Sequence, residues 1–268
     1  MIVECKQCRE QQILDYIGDQ YKRCLYLFMD LKKYGIGSQV IQVYVIEKKE
    51  VIQAILLKYY TCLHVFSRKI DFDINEFNEF YSHGTFTMIY CDKRTAEYIW
   101  NGLPESKKSN TSITFGWVAE IRAIDKEPRR IANRAGRDDF SQIVSLIYED
   151  EDIGRSYDID DLAKQLLERA AEGYTRNYVL KDENLVIAHA CTNAEISGIA
   201  VVAELVVHKD YRRRGYASEI WRHICSDLLD EGNEVYSFYY SEESRTLHKK
   251  TGFNEICEWA KIVSPVSD

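Results

Sequence analysis

Apolar positions recur at helical spacing near the start of the chain. Ile13, Leu14 and Ile17 share a face, and Tyr21, Cys24, Leu25, Phe28 and Leu31 continue the pattern until Gly35 and Gly37 stop it. Alternating and continuous apolar runs then predict strands at 40–46, 51–59 and 61–67, a helix over 73–80 and a strand at 85–91. Asp92 stands where a cap is needed for a helix reaching Trp100. The polar stretch 104–110 predicts a loop, and 112–124 a strand that closes this half. Pro128 and the charges of 125–130 place a domain boundary between 127 and 128.

The second half begins with a short strand at 130–134 and a helix from about Asp138 to Tyr148. A second helix covers 159–172 and ends at Gly173, and strands at 178–181 and 185–193 form a hairpin around 182–184. The run 199–207 is an apolar strand interrupted by Glu204; after it come a helix over 218–230, a strand at 235–240, a helix over 244–250 and a strand region over 253–263. The order is strand, two helices, three strands, helix, strand, helix, strand. That order predicts an α/β (α+β) fold, a mixed and mostly antiparallel sheet flanked by helices on both faces.

Composition narrows the function classes. The chain has 268 residues, 46% of them hydrophobic and only three prolines, enough apolar mass for one large core or two ordinary ones. No apolar run approaches ~18 residues, so no membrane span is expected. The charged start (Glu4, Lys6, Arg9, Glu10) does not resemble a signal peptide, and the expected compartment is the cytoplasm. Cys5 and Cys8 form a single C-x-x-C with no second pair at zinc spacing, so ordinary thiols are expected and no metal.

Residues 1–128 hold 17 Lys and Arg against 17 Asp and Glu, whereas residues 129–268 hold 18 against 26. The whole formal charge of −8 therefore lies in the second half. Nucleic-acid binding draws its affinity from neutralised phosphates, so a nucleic-acid partner is not expected; an acidic second half favours a cationic small molecule or peptide instead.

The stretch 204–217, ELVVHKDYRRRGYA, carries the chemistry. A strand runs into a basic turn, and Gly215 and Ala217 open a helix. Small residues admit a ligand close to the backbone, first-turn amides point outward, and Arg212, Arg213 and Arg214 add positive charge. A phosphate or diphosphate is the natural partner.

Arg212-x-x-Gly215-x-Ala217 also resembles the R/Q-x-x-G-x-G/A signature of the GNAT acetyltransferases, at the same strand-to-helix junction. Tyr211 precedes it, and 241–253, SEESRTLHKKTGF, resembles the last helix of that family with its Gly-Phe ending. The resemblance covers roughly 129–263; within it, 173–253 looks like a bacterial two-domain subgroup whose first half is a degenerate, smaller relative of the same fold. It implies acetyl-CoA as co-substrate. The amides of Arg212, Arg213, Arg214, Gly215, Tyr216, Ala217 and Ser218 would hold its diphosphate. Leu205, Val206 and Val207 would pair with the pantetheine arm, with Ser241 and Ser244 contributing from the last helix. The first half has no such signature, so no second coenzyme site is expected there.

Two positions depart from the family pattern. Ser241 stands where an Asn is usual, and His248 stands where a Tyr commonly protonates the departing thiolate. The implied reaction is direct attack of a neutral primary amine on the thioester in a ternary complex, which needs a base for the ammonium and an acid for the sulfur. Glu204, the single charge in an apolar strand, is the candidate base, with a structural carboxylate as the alternative. His248 is a candidate acid or an ordinary helix histidine, and Tyr239 and Tyr240 are alternatives; His189 and His208 read as strand and turn residues. The strand's bulge in this family hides which way Glu204 faces.

Acidic residues 149–152 with Asp158, Asp160 and Asp161 either border a cationic acceptor or complement helix ends. A non-catalytic acyl-CoA-binding or sensing module is the alternative to an enzyme. Tyr59, Tyr60, Tyr98, Trp100 and Trp117 are core residues or the face of a homodimer.

Overall fold

A computed structural model of the chain describes residues 1–125, 132–150 and 159–264. It divides into two compact units, one formed by Met1–Val118 with Ile256–Asp268 and the other by Ala119–Glu255. The division falls at 118/119 and 255/256, so most of the closing strand belongs to the first unit. Pro128 itself lies outside the described residues, as do Asp152, Gly154 and Asp158 of the acidic segment.

The first unit contains β1 (Ile2–Glu4), α1 (Glu10–Ile17), α2 (Leu25–Tyr34), β2 (Ile41–Lys48), β3 (Val51–Tyr59), β4 (Cys62–Phe66), α3 (Ile74–His83), β5 (Met88–Asp92), α4 (Lys93–Gly102), the short α5 (Glu105–Lys108) and β6 (Ser112–Ile121). The sheet order is β1-β2-β3-β4-β5, followed by the closing strand, β12 (Asn254–Val263). β12 lies antiparallel to β5 with Trp259 opposite Asp92, and β4 and β5 are the parallel pair. Because side chains alternate across a strand, β2 and β3 feed two cores. Val43, Val45, Ile55 and Leu57 meet Ile13, Ile17, Leu27 and Leu31 on one face. Ile46, Ala54, Leu56 and Leu63 meet Phe77, Ala96 and Ile99 on the other. Each Val, Leu, Ile or Phe among them, once buried, contributes roughly 1.5–3 kcal/mol.

Two local expectations change. The first helical pattern is not one helix: Gly18, at φ +51°, breaks it, and Gly18–Arg23 forms a 3-10 segment before α2. The cause lies far along the chain. Arg68 donates to the carbonyls of Tyr16 and Ile17, capping α1, and a Cβ on Gly18 would sit 2.6 Å from the guanidinium. The expected loop at 104–110 holds α5, whose carbonyls Ser109, Asn110 and Thr111 help to satisfy. Asp92 caps α4 as expected, accepting from the Thr95 amide at 3.3 Å. Of the aromatics set aside for core or interface, Tyr59, Tyr98 and Trp100 pack against the two cores, while Tyr60 is 70% exposed.

The second unit contains β7 (Asn133–Arg134), α6 (Phe140–Tyr148), α7 (Ile159–Ala171), β8 (Asn177–Asp182), β9 (Leu185–Ile196), β10 (Ile199–Val207), α8 (Tyr216–Asp230), β11 (Glu234–Tyr239) and α9 (Glu242–Lys250). Its strands lie in the order β11-β10-β9-β8-β7, antiparallel except for β10 and β11. α6 and α7 cover the face bearing Val179, Val186 and Val206. Tyr178, one residue from Val179 and so on the opposite face, donates its hydroxyl to Asp227 of α8. α8 buries Ile220, Trp221, Ile224, Cys225 and Leu228, a stripe at helical spacing. Asp160 and Asp161 sit in the first turn of α7, where the helix dipole favours them.

Both units run through two helices, three strands, a helix, a strand and a helix, and in both the strands that flank the third helix are the parallel pair. They differ where that third helix begins. In the first unit Asp73 caps α3, its carboxylate accepting from the Asn75 and Glu76 amides at 2.9 and 3.3 Å. A negative charge already occupies that helix start.

Candidate functional site

The site is built on the middle of the second unit's sheet. β10 and β11 run in parallel register from Ile199 opposite Glu234 to Val202 opposite Ser237. Both strands continue beyond that point, β10 to Val207 and β11 to Tyr239, without further registered pairs between them among the described residues. β10 keeps its other neighbour: Val206 and Val207 remain opposite His189 and Ala188 of β9. The two parallel strands therefore part after Val202, exposing one backbone edge of β10 to whatever strand-like group enters.

A bulge lies at the parting. Between Ala203, opposite Cys191, and Val206, opposite His189, β10 spends three steps against two on β9. The extra residue is accommodated by Glu204 at φ +51°, a left-handed conformation that costs a non-glycine residue roughly 1–2 kcal/mol. Alternation no longer applies here, so the facing of Glu204 could not be read from the sequence. Its carboxylate accepts from the Cys191 thiol, with Sγ 3.4 Å from Oε2.

At the end of β10, Lys209–Tyr211 forms a 3-10 turn that His208 caps, accepting from the Asp210 amide at 3.3 Å. His208 is thus the turn residue expected. Tyr211 donates to Asp182 at 2.7 Å and carries the Arg214 guanidinium over its ring at 5.4 Å, which stiffens the turn. Arg212 donates through Nε to the Val207 carbonyl at 3.0 Å and through Nη2 to Asp150 at 3.1 Å. Arg213, at φ +61°, is exposed.

Gly215 then sits at φ +86° as the N-cap of α8, with no side chain capping the helix. A Cβ built there would meet nothing within 4 Å, so the glycine answers to backbone conformation and leaves open space before the helix. The first-turn amides of a helix point out of its start toward an anion, and here they stand beside the three arginines of the turn. This is the reverse of the carboxylate-capped start of α3.

The candidate acids separate on geometry. His248 is 5% exposed, with Nδ1 2.6 Å from the Ser244 carbonyl and Nε2 2.8 Å from the Ser237 hydroxyl. A carbonyl only accepts, so Nδ1 carries the proton, and Nε2 of the neutral ring offers a lone pair. Burial pushes the ring down to about 4, and near neutral pH it has no proton to give toward Ser237. Trp221, Phe253 and Tyr239 pack against the ring, so His248 is a buried residue rather than an exposed one.

Tyr239 is buried, and its hydroxyl donates to Glu255 at 3.0 Å. Arg245 grips the same carboxylate at 2.6 and 2.9 Å and, with Tyr239 and Lys249, holds it down to about 2. Burial, with Glu255 next, raises the Tyr239 phenol well above its ordinary value. Tyr240 follows β11 directly and is half-buried. Ser241 caps α9, accepting from the Ser244 amide at 3.1 Å, so serine serves as cap at the position where Asn is usual.

Sequence reasoning passed over Cys191, Ser237 and Asp150. Cys191 reads as one more small apolar residue in a strand, and Asp150 as one of an acidic group; only the bulge and the arginine turn give them partners.

Three comparisons bear on this geometry. Residues 138–253 match the family model described as the acetyltransferase (GNAT) family. The fold is shared with an acetyltransferase from the GNAT family of Colwellia psychrerythraea, with a TM-score of 0.63 at 9% identity, covering 99% of this chain and 100% of that one. A GCN5-related N-acetyltransferase from Sphaerobacter thermophilus gives a TM-score of 0.65 at 14% identity over 100% and 97% of the two chains. A tandem GNAT protein from the clavulanic acid biosynthesis pathway gives 0.60 at 10% over 100% and 99%. No curated protein sequence matches the chain. The parted parallel strands, the bulge and the uncapped helix start all lie inside residues 138–253, the segment that matches the acetyltransferase (GNAT) family model.

Proposed function

We propose that the second unit transfers the acetyl group of acetyl-CoA to a primary amine in a ternary complex. One observation carries the reading: β10 and β11 part after Val202 and Ser237, opposite the Glu204 bulge and one strand-length before an uncapped helix start. A pantetheine arm carries amides that can continue the sheet along Leu205, Val206 and Val207. The diphosphate beyond it would meet the amides of 212–218 and the arginine charge. Ser244, at the start of α9, is tied into the Ser241 cap by both its amide and its hydroxyl and serves the coenzyme only as part of that turn.

In the reaction the amine nitrogen forms a bond to the thioester carbon and the carbon–sulfur bond breaks. Glu204 takes the proton that the ammonium must lose, directly or through water. The thiolate takes a proton in turn. Tyr240, directly after β11 and beyond the last registered pair with β10, is the residue assigned to that step. A cationic acceptor fits the acidic balance of residues 129–268.

The test combines titration calorimetry with acetyl-CoA and a thiol-release assay over a panel of spermidine, agmatine, tyramine, glycinamide and lysine methyl ester. Binding heat together with thiol release on at least one amine supports the reading. Binding without turnover across the panel favours the acyl-CoA-binding module, and absence of binding removes both.

A further inference from the structure

We propose that Cys191 is a positioning residue for Glu204, its thiol donating to the carboxylate that takes the amine's proton. This rests on the reading of Glu204 as base. Cys191 lies on β9 and is 3% exposed, with Sγ 3.4 Å from Glu204 Oε2. The bulge creates the contact: Cys191 is opposite Ala203, and Glu204, next along and left-handed, sends its carboxylate back to the same partner strand. Burial first, and then the neighbouring Glu204 charge, hold the thiol well above its ordinary range, so it remains S–H and can only donate to a carboxylate.

A thiol is a weak donor. It can fix a carboxylate's direction while stabilising the ionised form less than a hydroxyl would. A base that works near neutrality profits from that combination, because strong donors would drive its pKa down and weaken it as a proton acceptor. Other groups reach the position. His189 of β9 is wholly buried, its Nε2 donating to Asn177 Oδ1 at 2.9 Å, and held down to about 4 by burial against an opposing interaction with the Glu204 backbone, so it is uncharged near neutrality. The charges of Arg169 on α7 and Glu195 on β9 also reach Cys191. These set where the titration lies, whereas the thiol sets how it moves on substitution.

The experiment is the pH profile of kcat/KM for the full chain with acetyl-CoA and the fastest amine of the panel, in wild type, Cys191→Ala, Cys191→Ser and Glu204→Gln. Loss of the donor in Cys191→Ala moves the acid limb up, and the stronger hydroxyl of Cys191→Ser moves it down, each by roughly half a pH unit. Opposite displacements cannot come from a merely structural role. Limbs that coincide with wild type, or that move in the same direction, overturn the inference while a Glu204→Gln loss of turnover keeps Glu204 as base. A Glu204→Gln enzyme with wild-type rate and profile overturns the base and the positioning role together. An acceptor-independent readout is the infrared S–H stretching band that Cys191→Ala removes: Glu204→Gln shifts it to a less strongly bonded frequency, and a band indifferent to that change overturns the contact.

Discussion

Glu204 has two readings, base or structural carboxylate, and replacing it with glycine separates them by sign. Its φ of +51° is a conformation glycine adopts freely, so Glu204→Gly relieves roughly 1–2 kcal/mol of backbone cost. Against that stand about 0.5–1 kcal/mol for the added flexibility of glycine in the unfolded chain and about 1 kcal/mol for the lost side-chain hydrogen bond to Cys191. The terms nearly cancel, and urea unfolding of Glu204→Gly should give a stability within about 1 kcal/mol of wild type. Transfer to amine, by contrast, should fall by about 10²–10⁴ in kcat/KM, the range that a positioned base supplies. Glu204→Gln keeps the backbone cost and should show the same loss of rate. A carboxylate whose purpose is structural gives the reverse pattern, a loss of about 3 kcal/mol or more with transfer intact in the surviving folded fraction. That result would refute the assignment.

Three further outcomes follow from the same geometry. Arg212→Ala should raise the KM for acetyl-CoA about tenfold or more with little change in kcat, since a charge-assisted contact to phosphate is worth about 1.5–3 kcal/mol and acts equally on ground and transition states; initial-rate kinetics decides it. Asp73→Ala removes the cap of α3 and should cost about 1 kcal/mol of stability in thermal unfolding, while the calorimetric affinity for acetyl-CoA stays unchanged because that helix start serves no coenzyme. His64, His189 and His248 are each held down to about 4 by burial, against about 6.5 in an unfolded chain. Between those values the unfolded chain binds more protons, so stability is present in full above about pH 6.5 and is lost as pH falls toward about 4, with a slope of roughly 1.4 kcal/mol per pH unit for each histidine. Urea midpoints measured across that window should show it, and His248→Gln should remove about one-third of the slope.

Most elements were legible in the order of residues because helix and strand periods are local. The hairpin around 182–184 and the caps at Asp92 and Gly215 need only neighbours a few residues away. The anion cradle was legible for the same reason: strand, arginine turn, glycine and helix are contiguous between Glu204 and Ala217. Family resemblance added the coenzyme and the sense that Glu204 sits at a bulge.

Tertiary structure decided whatever depended on partners distant in sequence. Arg68 breaks the first helical pattern at Gly18 from fifty residues away, and β12 joins β5 in the first unit rather than ending the second. The roles of Cys191 and His248 follow the same rule. A thiol becomes a hydrogen-bond donor to a carboxylate only because the bulge turns Glu204 toward it, and a histidine in a candidate acid's position becomes a core residue because Ser237 and Ser244 take both its nitrogens. Periodicity reports which way a regular backbone faces; protonation and reach are set by burial and by the groups that packing brings together.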